Sequence, residues 1–244
     1  MLIEIIDIVN GIMSTISFLV SIAIVLLMLI RYFKTKNKEI FYITISTFGI
    51  IWTYSSTVVS FFTLLITQNP LPKEIYFILG NFLYPLTLGC WIFLVLDLTN
   101  VKNPKLYGAT TFIIMLIFDI IFIFLSIFQP NLIGIREGNI DIRFINYGSI
   151  YQLISIIFVW LGMLIFLRDA LRIDSKDIKL KATLIFISLL IFTIAASFDG
   201  YVDLNIPQLI VARTFVICAS IIAYIGWFLP KSVKKIFIKE KVKG

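Results

Sequence analysis

Residues 106–128, LYGATTFIIMLIFDIIFIFLSIF, carry one charged side chain, Asp119, in an otherwise apolar run. Wound as a helix at about 1.5 Å per residue, a run of this length reaches across the roughly 30 Å hydrocarbon layer of a bilayer. A helix that is apolar on every side needs lipid or a large protein interior around it. Six further runs of the same kind are spaced along the chain, at 9–30, 40–66, 75–98, 149–167, 182–198 and 208–229. With 60% hydrophobic and 14% charged residues, the chain has too little polar surface for a water-soluble globule. The expected fold is therefore all-α: a polytopic bundle of seven transmembrane helices over residues 1–230, followed by a basic tail at 231–244. The second run exceeds the length a span needs, which predicts tilt.

Charge orients the bundle. Of 21 Lys and Arg residues, seventeen fall in the first, third and fifth links and the tail: Arg31, Lys34, Lys36, Lys38, Lys102, Lys105, Arg168, Arg172, Lys176, Lys179, Lys181 and the six tail lysines. Under the positive-inside rule these segments are cytoplasmic, which places the N-terminus outside and the C-terminus inside a multi-pass cell-membrane protein. The net charge of +7 is dispersed in short clusters between spans, so anionic inner-leaflet headgroups, and not nucleic acid, are the expected partner. The tail, with Val233, Ile236 and Phe237 among lysines, is either a short amphipathic segment on that leaflet or a plain basic extension.

The first residues, with Glu4 and Asp7 and no cation, are unlike a signal peptide, so 9–30 counts as a span. Between the fourth and fifth runs, alternation over 139–144 suggests a short hairpin. The link 168–181 has no Gly or Pro and is expected to prolong its flanking helices into water. Tyr32, Tyr42, Tyr76, Tyr107, Tyr147, Tyr201 and Trp227 are placed as headgroup-level anchors, and Cys90 and Cys218 as buried thiols.

Chemistry must come from few groups. The chain has no histidine, which removes His-ligated zinc and haem and histidine-assisted nucleophiles. No metal or cofactor is expected, and no enzyme activity, since Asp97 and Asp119 sit at different depths. A carboxylate such as Asp119 at mid-membrane costs about 2.5 to 3.5 kcal/mol to insert, so it is either a polar centre in a pocket or a paired or protonated packing group. Its candidate companions in other spans are Asn81, Trp52, Tyr54, Tyr84, Trp160 and Gln152. Arg213, early in span seven, is expected to form an intramembrane ion pair with Asp199 and Asp203. That pair is a clasp between two spans or an anion-recognising group at an outer pocket. Pro85 removes a backbone donor in span three and is the candidate hinge, with Gly80 and Gly89 allowing close approach beside it.

Retinal proteins are excluded, because span seven holds no lysine for a Schiff base. The stretch LYPLTLGCWIFLVLDLT at 83–99, with Pro85 inside and Asp97 and Thr99 at its end, resembles the third helix of the seven-helix sensory region found ahead of many prokaryotic histidine kinases. The Tyr147-Gly148 opening of span five is similar too. The resemblance implies a membrane sensor; with only about fifteen residues after span seven, it implies signalling through a separate cytoplasmic partner. The expected function is receptor-like, binding a small or lipidic ligand and shifting helices around Pro85. A small transporter or channel with a polar path past Asp119 is the alternative. The oligomeric state is not readable from the sequence.

Overall fold

The computed structural model describes residues 3–99 and 101–238. Ten α-helices, a short 3-10 helix at Pro130–Leu132 and one hairpin make up this part: α1 Ile5–Thr35, α2 Lys38–Trp52, α3 Ser55–Thr67, α4 Lys73–Asn81, α5 Tyr84–Leu98, α6 Pro104–Phe128, β1 Gly134–Glu137, β2 Asp141–Phe144, α7 Asn146–Arg172, α8 Lys176–Tyr201, α9 Ile206–Phe228 and α10 Lys231–Phe237. Six helical segments are long and apolar enough to cross a membrane: α1, α4 with α5 taken together, α6, α7, α8 and α9. The pair α2 and α3 would be a seventh, bent by 41° at its break.

That bend replaces the uniform tilt expected for 40–66. No proline or glycine causes it. The Thr53 hydroxyl donates to the Ile50 carbonyl and the Ser56 hydroxyl to the Thr53 carbonyl, both at 2.9 Å, so side chains compete for the carbonyls that a continuing helix needs. The second break, at Phe82 and Leu83 between α4 and α5, has a proline behind it. Pro85 has no N–H to offer the carbonyl of Asn81, four residues back, and sits in the first turn of α5, where proline is tolerated.

Several helices bury a stripe of polar residues and turn large apolar ones outward. On α1 the buried positions Asp7, Asn10, Gly11, Ser14, Ser17 and Ser21 recur every three or four residues, while Ile5, Ile12, Leu19, Leu26 and Phe33 face outward. Lipid is as apolar as leucine, so helices in a membrane gain association from close packing and hydrogen bonds between small polar residues. Ser21 and Ser220 share a hydrogen bond of 3.0 Å between α1 and α9, and the Ser188 hydroxyl of α8 donates to the Ala219 carbonyl at 2.7 Å. Close approach is built in as well. A Cβ on Gly49 would lie 1.6 Å from the Thr87 hydroxyl, so α2 and α5 meet at that glycine.

The loop after α6 forms an antiparallel hairpin in which Glu137 faces Asp141 and Gly134 faces Phe144, with Gly138 at φ +59° in its turn. The Arg136 guanidinium donates to the Asn139 and Leu71 carbonyls, tying the hairpin down over the loop after α3. At the opposite end, α7 and α8 extend through most of 168–181, and Ser175 caps α8. Helix α10 is fastened by Lys234 to Asp177 at 2.7 Å and leaves Ile236 and Phe237 exposed. Residues 239–244 of the basic tail, with three of its lysines, lie outside the described residues.

Candidate functional site

At the hairpin end, Arg213 of α9 is completely buried. Its guanidinium donates to Asp199 at the end of α8 and, at 2.9 Å, to the Asn10 side chain of α1; Asp141 of β2 lies 3.5 Å away. The Tyr54 ring, at the α2–α3 break, packs 4.9 Å beneath the guanidinium. Arg213 Nε has no hydrogen-bond partner among the described residues. Four other segments, α1, the α2–α3 break, β2 and α8, therefore converge on one cation, and a buried guanidinium persists only with such compensation.

Asp141 is the member the sequence did not indicate. Its Oδ1 accepts from the Tyr76 hydroxyl at 2.7 Å and from the Ile142 amide at 2.9 Å, and its Oδ2 from Asn10 Nδ2 at 2.9 Å. Tyr76, expected in the headgroup belt, is instead 6% exposed and also bonded to Thr57 at 2.9 Å. Asp203 does not join the cluster: α8 ends at Tyr201, and the chain carries Asp203 out to an exposed position. Asp141 occupies the place expected for it. Asp7, also buried, receives the Asn139 amide at 2.9 Å and the Asn139 side chain at 2.6 Å, fixing the hairpin turn on α1.

Beside this cluster lies a cavity of about 130 Å³ between the two helix breaks. Thr53 and Tyr54 line it from one break, Asn81 and Tyr84 from the other, and Gln152, Thr193, Asp141 and Asp199 close it from α7, α8 and β2. The polar groups are ordered: Tyr84 Oη donates to Gln152 Oε1 at 2.9 Å, Gln152 Nε2 to Asn81 Oδ1 at 3.0 Å, and Asn81 Nδ2 to the Phe77 carbonyl at 2.8 Å. Two predicted companions stand behind the wall. Trp52 donates to the Leu79 carbonyl at 2.9 Å, bridging the two breaks, and Trp160 donates to the Thr193 hydroxyl at 3.2 Å.

Asp119 is elsewhere. Its carboxylate accepts from the Tyr151 hydroxyl at 2.8 Å, within a cluster of Phe77, Met115, Phe122 and Tyr151, and it does not line the cavity. Asp97 pairs with Lys38 at 3.4 Å. Cys218 is exposed on the outer face of α9 and Cys90 is half-buried, so the expectation of two buried thiols is corrected by which helix faces point outward.

The two ends differ in charge. The hairpin end gathers Glu4, Asp7, Glu74, Glu137, Asp141, Asp199 and Asp203 against Lys73, Arg136, Arg143 and Arg213. Burial pushes the Glu137 carboxyl above its usual range, although Arg143, 2.9 Å away, opposes the shift. Among the described residues no group of three or more His, Cys, Asp or Glu is placed to hold a metal ion. The other end has a cleft of about 410 Å³ lined by Arg31, Lys181, Phe166 and Trp227 among others. Between cleft and cavity lies an apolar layer of Ile24, Met28, Trp91, Leu94, Val95 and Met163. No family model and no curated protein matches this sequence.

Proposed function

We propose that this chain is a seven-span membrane receptor or sensor whose hairpin end faces the outside and whose cavity beside Arg213 receives a small ligand. The lysine-rich links and tail then lie in the cytoplasm, as the charge bias requires. One observation carries the reading: the cavity is walled by residues of both helix breaks, Thr53 and Tyr54 on one side and Asn81 and Tyr84 on the other. A ligand touching both breaks couples its binding free energy to their angles, and only such differential contact can shift a conformational equilibrium. The helices below the breaks, α2 and α5, pack on each other through Gly49 and Thr87 and end at the basic face. A change of angle therefore reaches the side on which a separate signalling partner would bind, in keeping with the resemblance to kinase sensory regions.

Hydrogen exchange of the full chain in nanodiscs tests this, with a fragment set of up to about six heavy atoms per compound. A fragment that raises the unfolding temperature is expected to slow exchange in residues 50–57 and 79–86. Protection confined to other segments would overturn the reading.

A transporter is the second reading, favoured by the separate cleft of about 410 Å³ at the opposite end. Its path would run through the Trp91 layer and not past Asp119, which lines neither space. Uptake of a bound fragment into sealed proteoliposomes would select it.

A further inference from the structure

The charges around the cavity do not cancel. Arg213 supplies one positive charge, while two carboxylates, Asp141 and Asp199, stand beside it and line the cavity. Asp141 is saturated by Tyr76, Asn10 and the Ile142 amide. Asp199 is not. One of its oxygens takes the Arg213 proton, and among the described residues its Oδ1 accepts no hydrogen bond, although the side chain is only 17% exposed. A cavity-lining carboxylate oxygen without a protein donor, beside surplus negative charge, gains most from a donor that brings one positive charge.

The rest of the wall says what kind of cation fits. Phe144, Phe192, Tyr84 and Tyr201 contribute aromatic surface, and Val159 and Leu189 apolar surface. Such walls suit an organic cation better than a hydrated metal ion, since aromatic rings attract ammonium groups while tolerating a hydrocarbon body. Size sets the bound: a cavity of about 150 Å³ holds a benzene ring, and this one measures about 130 Å³. The carboxylate excess at the hairpin end also raises the local concentration of cations at the mouth.

Resting on the ligand-binding reading above, we infer that the cavity takes a compact organic monocation, a primary or secondary ammonium smaller than benzene, with its nitrogen on Asp199 Oδ1. The test uses the full chain in nanodiscs with three matched probes, isobutylamine, isobutanol and isobutyrate, by calorimetry at neutral pH. Isobutylamine is expected to bind at least about tenfold more tightly than isobutanol, which corresponds to about 1.4 kcal/mol, and isobutyrate not at all. Asp199→Asn is expected to remove the preference for the amine, and Ala196→Phe, which fills the cavity from α8, to abolish binding of both. Should Asp199→Asn fail to fold, Asp141→Asn removes the same surplus charge and is expected to erase the preference in its place. Equal affinity for amine and alcohol, lost together in Ala196→Phe, would overturn the cation assignment and leave the cavity reading standing. Binding of no probe, or binding that Ala196→Phe leaves unchanged, would overturn both.

Discussion

Asp119 and Arg213 are both charged and both buried on membrane-length helices, and their surroundings differ in kind. Among the described residues Asp119 accepts one side-chain hydrogen bond, from the Tyr151 hydroxyl, inside an aromatic cluster, and does not line the cavity. Arg213 draws on α1, α2–α3, α8 and the hairpin, and three of its partners, Tyr54, Asp141 and Asp199, line a space that a ligand could enter. A lone group satisfied by a single neighbour is what helix packing needs. A cation shared by four segments besides its own helix, with negative charge left over, constrains how those segments sit and responds to whatever binds beside it.

The largest effect expected from breaking this contrast is that of Arg213→Leu. Removing one partner leaves Asp199 and Asp141 as uncompensated charges, a loss of about 3 to 5 kcal/mol, read as a lowered unfolding midpoint in detergent. Tyr151→Phe is expected to cost about 1 to 3 kcal/mol by leaving the Asp119 carboxylate without its donor. The double variant Asp119→Leu with Tyr151→Phe should recover most of that loss, because both polar partners are gone together. No such rescue is available to Arg213, whose partners come from too many places.

Asn10→Ala follows, at about 1 to 2 kcal/mol, since it takes one acceptor from Arg213 and one donor from Asp141. The smallest effect belongs to Glu137, at the rim. Its folded carboxyl is raised by burial above its unfolded value. The stability it contributes is therefore complete below the usual carboxylate range and is lost as pH rises through its folded value. Glu137→Gln should flatten that slope in a pH series of unfolding midpoints.

Much of this architecture can be read from residues. The apolar runs, the pairing of Arg213 with Asp199, the hairpin near Asn139 and the break ahead of Pro85 each follow from a local pattern of charge, alternation or a missing donor. Asn81, Tyr84, Gln152 and Tyr54 were recognisable as polar groups in apolar runs, and they meet in one cavity. The bend at Thr53 was hidden, because it arises from hydroxyls bonding to nearby carbonyls, and serines and threonines do the same in straight helices. Asp141 and Tyr76 were hidden for another reason: one sits in a loop and the other near a span end, where solvent or headgroups are the default partner. The stripe Asp7, Asn10, Ser14, Ser17 and Ser21 formed no part of the sequence reading, although its spacing of three and four marks the inner face of α1. In a chain this apolar, the polar stripe carries the orientation that a hydrophobic stripe carries in water.

Cysteine accessibility tests the contrast between the two buried charges most directly. With Cys90 and Cys218 replaced by alanine, single cysteines at Thr193, on the cavity wall, and at Asp119 are treated in intact cells with a membrane-impermeant thiosulfonate. The account predicts rapid labelling of Thr193→Cys from outside and none of Asp119→Cys. Equal labelling of the two, or labelling of Thr193→Cys only after the cells are opened, would contradict it.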